Sequence, residues 1–257
     1  MRSFRQPRAA ALGVVVLAAL AAPASAQSLG QGASSDYAAC MALAQREPQT
    51  AFDEALAWRA RGGGLAALHC AAVSLFGLGR HVEAAQRLES LSDTMPPEAT
   101  APRARILAQA GQAWFLAGET GQAERALTRG LALTPDNIEL LIDRSIALAT
   151  TGQYWEAVDD LNRAHDLQPA RADILVLRAS AYRSLEATDL AADDLARALK
   201  LDPGNPDGLL ERGILRRLTG DAAGARADWT RIIETDPAAP AAQAARTNLD
   251  NLDQASN

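Results

Sequence analysis

From Arg105 to Pro135 the chain reads RILAQAGQAWFLAGETGQAERALTRGLALTP. Apolar residues return every three or four positions, stop at AGETG, and resume at the same spacing up to Thr134-Pro135. This pattern predicts two amphipathic helices joined by a short turn, because one face of a 3.6-residue helix repeats in this way. The pattern then recurs: Pro135, Pro169, Pro203 and Pro237 stand 34 residues apart, and a fixed period of this length marks stacked supersecondary units. With units at 104–137, 138–171, 172–205 and 206–239, one column holds only small residues, Gly111, Ser145, Ala179 and Gly213. A second holds Ala123, Ala157, Ala191 and Ala225, and a third the bulky Leu127, Leu161, Leu195 and Trp229. An earlier unit at 65–98 fits the frame with Leu68, Ala72, Ala84, Leu88 and Pro96, followed by an insertion at 99–103.

On these columns the chain resembles the tetratricopeptide repeat family, over about 175 of its 257 residues. Two departures concern packing: Leu107, Leu141, Leu175 and Leu209 stand where the family favours Trp, and Trp114, Leu148, Tyr182 and Arg216 where it favours Tyr. The resemblance implies an all-α protein, a right-handed α-solenoid of antiparallel helix pairs. Physics requires the stacking independently, since one helix pair has too little interior to be stable alone. Two further helices precede the units, SSDYAACMALAQREP and QTAFDEALAWRARGGG, forming an N-terminal hairpin within 27–64 with Ser35 or Asp36 as N-cap. The stretch 240–257 predicts a capping helix that lays Leu249 and Leu252 on the last unit.

Charge adds a second regularity. The seventh residue of three units is Arg144, Arg178 and Arg212, and the twenty-third is Asp160, Asp194 and Asp228. Unit 104–137 has Ala110 and Ala126 at these places, and unit 65–98 has Ala71 and Arg87. Arginine and aspartate come together or not at all, which predicts a ladder of ion pairs within units or across their junctions.

The first 26 residues combine Arg2, Arg5 and Arg8, an apolar run from Ala9 to Leu20, and a tail ending Ala24-Ser25-Ala26. This is the form of a secretory signal peptide cleaved after Ala26, with an apolar run too short to span a bilayer. The expectation is a periplasmic protein with no membrane insertion after cleavage. Removing three arginines takes the formal charge from −6 to −9, which disfavours nucleic acid as a partner. An oxidising compartment makes a structural disulfide between Cys40 and Cys70 the favoured state of the two cysteines.

Catalytic signals are missing. His69, His81 and His165 share no helical spacing, Lys200 is the sole lysine, and the glycines of RGGGLAALH lack the strand and lysine of a phosphate loop. No enzyme, cofactor or metal site is predicted. What remains is binding. The resemblance implies that the first helices line a concave groove, which places Ala108, Gln112, Phe115, Ile142, Ile146, Ala149, Val176, Ser180, Arg183, Leu210, Ile214 and Arg217 on it. Such a face suits a protein or peptide partner, another envelope protein, with apolar anchors and an acidic residue near Arg183 and Arg217. The alternative function is a carrier or holdase for an apolar ligand or an unfolded envelope protein.

Overall fold

The computed structural model describes residues 33–256; the signal-peptide reading and the cleavage point lie outside the described residues. Thirteen α-helices fill the described chain. The N-terminal hairpin is α1 (Ala33–Arg46) and α2 (Pro48–Ala60), followed by α3 (Gly64–Gly77) with α4 (His81–Thr94). The next pairs are α5 (Thr100–Leu116) with α6 (Thr120–Leu133), and α7 (Ile138–Thr150) with α8 (Tyr154–Leu167). The last are α9 (Ala172–Ser184) with α10 (Thr188–Leu201), and α11 (Pro206–Leu218) with α12 (Ala222–Thr235), closed by α13 (Pro240–Ser256). Each helix packs on its chain neighbours, and α5, α7, α9 and α11 also touch in sequence, so the pairs stack in one direction as an all-α solenoid.

One boundary differs from expectation. Helix α1 already runs at Ala33, ahead of Ser35 and Asp36, so neither is its N-cap. The insertion at 99–103 is helical: Thr100 to Arg103 form the first turn of α5, which is 17 residues long against 13 for α7. Pro102 is no obstacle there, because the first-turn N–H groups have no intrahelical acceptor to lose. Arg103 fastens this extra turn by donating from Nε to the Ser92 carbonyl at 3.0 Å.

The interior follows from the small-against-large columns. A methyl group added to Gly111 would stand 2.6 Å from Leu127 Cγ, and one added to Gly213 would stand 2.8 Å from Trp229 Cδ1. The first and second helices of those units therefore approach to a distance that only glycine permits. Leu107, Leu127, Leu141, Leu161, Leu175, Leu195, Leu209 and Trp229 are all at most 2% exposed. Beyond the last unit, Leu252 and the alanines Ala241, Ala242 and Ala245 of α13 are buried against Trp229 and Ile232. At the other end, Cys40 and Cys70 face each other at disulfide geometry, with Cα atoms 6.2 Å apart, and join α1 to α3.

Each first helix ends on a residue in the left-handed region: Gly79, Gly118, Gly152 and Gly220 in four units, and Glu186 (φ 61°) in the fifth. Glycine occupies this conformation freely, whereas a side chain there is strained.

The three Arg–Asp pairs lie within units. Arg144 donates from Nε and Nη2 to Asp160 at 2.7 and 2.6 Å. Arg178 meets Asp194 at 2.7 and 2.7 Å, and Arg212 meets Asp228 at 2.9 and 2.6 Å. The carboxylates are almost fully buried, with side chains 8%, 5% and 4% exposed. The first two arginines also bridge backward across a junction. Nη1 of Arg144 donates to Thr128 Oγ1 at 3.2 Å, and Nη1 of Arg178 to Asn162 Oδ1 at 2.9 Å. In unit 104–137 the same space is filled by Ala110 and Ala126, both buried. In unit 65–98, Arg87 turns away to lie over the Phe52 ring, 5.4 Å from its centroid.

A second arginine column, Arg129, Arg163 and Arg197, reaches back to Asp93 and His165 of preceding second helices and to Asp136 in the turn after α6. Those side chains are about half exposed, so each such pair contributes about 0–1 kcal/mol. The buried ladder acts on a larger scale, because losing one partner strands a charge in the interior.

Two outcomes are expected in thermal and chemical denaturation. Asp194→Ala lowers stability by about 3–5 kcal/mol, whereas the exposed neighbour Asp193→Ala stays within about 0.5 kcal/mol; equal losses would remove the ladder from the fold's energetics. Glu186→Gly raises stability by about 1 kcal/mol by relieving the left-handed strain, and a loss of stability would show that the turn carries none.

Candidate partner-binding groove

The face along which α5, α7, α9 and α11 run side by side is the candidate groove. Its chemistry is set by which residue of each helix reaches the next. The sixth residue of a unit packs against the ninth or twelfth of the unit before it, and this seam changes character along the stack. Asp143 is held by Gln112, whose side-chain amide hydrogen-bonds it. Leu177 and Ile146 belong to the apolar fringe of the core. Glu211 accepts from Ser180 Oγ at 3.2 Å and from Arg183 Nε at 2.8 Å. One step earlier, His69 Nε2 stands 2.6 Å from Gln109 Oε1 and His69 Nδ1 stands 2.6 Å from Tyr37 Oη. The amide oxygen can only accept, so Nε2 carries the proton and Nδ1 accepts from the tyrosine.

Several residues expected to face a guest are engaged by the protein itself. Ile142, Val176 and Leu210 are 7%, 5% and 7% exposed; helices of adjacent units cover them, and they are core rather than binding surface. Ser180 is buried, and Arg183 is committed to Glu211, whose own side chain is 3% exposed. The basic end of the groove is therefore neutralised at Arg183, and Arg217 alone remains exposed as a base on this row. Ala108, Gln112, Phe115, Ile146, Ala149 and Ile214 are half-buried.

Acidic residues at the second and sixth places of the units were missed as a group by sequence reasoning: Glu139 and Asp143, Asp173, and Asp207 with Glu211. The signal available was the pairing of these columns one helical turn apart, on the same side as the ninth place. Arg171 bonds both Glu139 and Asp173, linking the edges of α7 and α9. Asp143 has no such cation. Burial pushes its carboxyl up to about 7, Glu139 one turn away pushes in the same direction, and the hydrogen bond from Gln112 opposes both. His69 is moved the other way: burial lowers its pKa, against the hydrogen bond to Gln109. Among the described residues, no group of three or more His, Cys, Asp or Glu side chains could hold a metal ion. No described helix is long and apolar enough to cross a membrane.

No protein-family model matches the sequence, and no curated protein matches it in sequence. Solved structures do match in fold. A tetratricopeptide repeat protein from Parabacteroides merdae superposes with a TM-score of 0.62 at 19% identity, covering 74% of each chain. A thermophilic tetratricopeptide protein of Thermus thermophilus gives 0.56 at 21%, covering 70% of this chain and 94% of its own. YrrB, described as a tetratricopeptide protein with an unusual peptide-binding site, gives 0.54 at 17%, covering 76% and 97%. The fold is that of tetratricopeptide repeat proteins.

The Asp143 environment sets a pH dependence. The unfolded chain releases this proton near pH 4 and the folded chain holds it to about 7. Between those values the unfolded state is favoured increasingly as pH rises, so this carboxyl's contribution to stability is lost upward through pH 7. Asp143→Asn, which keeps an acceptor for Gln112, should raise the thermal midpoint at pH 8 and leave it nearly unchanged at pH 4. Equal effects at both pH values would show an ordinary carboxylate.

Proposed function

We propose that this tetratricopeptide solenoid is an exported scaffold that works in a bacterial periplasm after loss of residues 1–26 and holds a protein segment along the groove of its first helices. The observation that carries the reading is the composition of that groove once internal pairing is accounted for. Phe115, Ile146, Ala149 and Ile214 remain half-buried beside Asp207 and beside Glu139 and Asp173, two acids that share the single cation Arg171, while Asp143 adds its charge only as pH rises through about 7 and Arg217 is the exposed base of this row. Apolar anchors bordered by carboxylates favour a guest with apolar and basic side chains, because like charge on the guest would be repelled. This replaces the acidic guest anticipated for Arg183, whose guanidinium is already matched by Glu211. The partner is a protein of the cell envelope.

A holdase or carrier for an apolar ligand would draw on the same apolar residues with little selectivity. The two readings separate by charge: a scaffold recognises one partner and loses it when an acid is removed, whereas a holdase retains its clients.

The reading is tested in whole cells with a photo-reactive phenylalanine at Ile146 or Ile214, compared with Lys200 on the second-helix side. Groove positions should yield one discrete adduct, weakened by Asp173→Lys, on a chain whose first residue is Gln27. Adducts of equal yield at Lys200 would remove the groove from the function, and a mature chain retaining Met1 would remove export.

A further inference from the structure

The arginine ladder is completed in two places and left open in a third. At the junctions after α6 and α8, the spare Nη1 of the ladder arginine donates to a neutral oxygen sixteen residues earlier, Thr128 Oγ1 for Arg144 and Asn162 Oδ1 for Arg178. The residue sixteen before Arg212 is Ala196, which has only a methyl group. Arg212 uses Nε and Nη2 on Asp228, and its Nη1 has no protein acceptor among the described residues. At that point a cleft of about 370 Å³ opens between α10 and α11. Ala192, Leu195, Ala196 and Leu215 line its apolar part, and Arg212 and Arg216 its polar part.

The cleft exists because of small residues. At the preceding junction the places of Ala192 and Ala196 hold Val158 and Asn162, and Tyr182 stands where Arg216 stands here. There Asn162 completes the ladder from within, and Val158 is buried beside it. The last junction has the same backbone frame with the filling removed and the donor retained. A half-exposed donor of this kind can be hydrated; a ligand that supplies an oxygen while covering Leu195 and Leu215 gains apolar burial as well.

We propose that this cleft is a binding site for a primary carboxamide carried on a short apolar body, its oxygen taking the place on Arg212 that Asn162 takes on Arg178. Charge decides for an amide over a carboxylate. Arg216 shares Asp228 with Arg212 at 2.8 Å and has Asp221 at 3.6 Å, so two guanidinium groups already face two carboxylates. Asp189 at the rim adds a third carboxylate, which repels an anion. The other junctions show directly which groups accept from this nitrogen, a hydroxyl oxygen and an amide oxygen, both uncharged. The amide could be free or be the side chain of a Gln or Asn on a protein segment, and the same site would read either. The inference stands apart from the groove, since it uses α10 and the turn end of α11 and none of the groove residues.

The test follows the Arg212 Nε–H resonance of the full mature chain during titration with isobutyramide, isobutyrate, and the peptides acetyl-Ala-Gln-Ala-N-methylamide and, as the carboxylate control expected to bind no better than isobutyrate, acetyl-Ala-Glu-Ala-N-methylamide. Isobutyramide should give a saturable shift at Arg212 and at the Ala192 and Ala196 methyls, with isobutyrate about ten-fold weaker or worse. Ala196→Asn places the missing acceptor inside the chain; it should abolish the shift while the variant unfolds at the same or a higher temperature than the parent. Tighter binding of the glutamine peptide than of isobutyramide supports the site with a protein source, and weaker binding supports it with a free ligand. Isobutyrate binding as well as the amide, shifts that persist in Ala196→Asn, or no saturation with any amide probe overturns the proposal.

Discussion

Everything in this molecule depends on the contact between a small residue on a first helix and a bulky one on the second, repeated at a period of 34. Where the small residue is Gly111 or Gly213, the partner side chain lies closer than any methyl group would allow. That closeness brings two helices into one module, and it leaves each module with an unfinished side that only the next can cover. The buried leucines that result are shared between neighbours, so no module has a core of its own. The ends of such an array need separate treatment. Helix α13 covers one with alanines and Leu252, and the hairpin of α1 and α2, joined to α3 at Cys40 and Cys70, covers the other.

Within that frame the arginine ladder is a choice made unit by unit. One slot can be filled by two alanines, as at Ala110 and Ala126, or by an arginine and an aspartate, as at Arg178 and Asp194. The apolar solution is the simpler one, since a buried ion pair must recover the cost of desolvating both charges. The charged solution adds directionality. A guanidinium fixed at two nitrogens by its own unit has one left to reach the previous second helix, and Thr128 and Asn162 take it. The ladder therefore ties adjacent units together at two junctions as well as filling space. One continuous apolar cluster runs from α1 through the first ladder unit to Ile174, whereas the last two ladder units and α13 are divided among smaller clusters.

The groove shows the same economy of polar groups. Its seam alternates between Gln112 with Asp143, Ile146 with Leu177, and Ser180 and Arg183 with Glu211. A face that satisfies its own polar groups in this way retains few of them for a guest, and the remaining charge is negative. That reverses the sign of the surface suggested by reading Arg183 and Arg217 alone.

The sequence by itself determined the period, the helix pairs, the small and bulky columns and the partnership of the ladder residues, because all of these are fixed at intervals along one chain and are legible wherever they repeat. It also marked the two cysteines that stand together. It left open the form of the insertion at residues 99–103, which is helical because a helix can take Pro102 in its first turn. What only the tertiary structure decided was accessibility. Ile142, Val176 and Leu210 occupy groove places in the frame but are covered by the adjoining helices, and Arg183 meets an acid 28 residues away on a different helix. A periodic pattern gives the direction in which a side chain points within its own unit. Whether that direction ends in solvent, in a methyl group or in a carboxylate depends on the rotation between one unit and the next, which is settled by packing between residues distant along the chain.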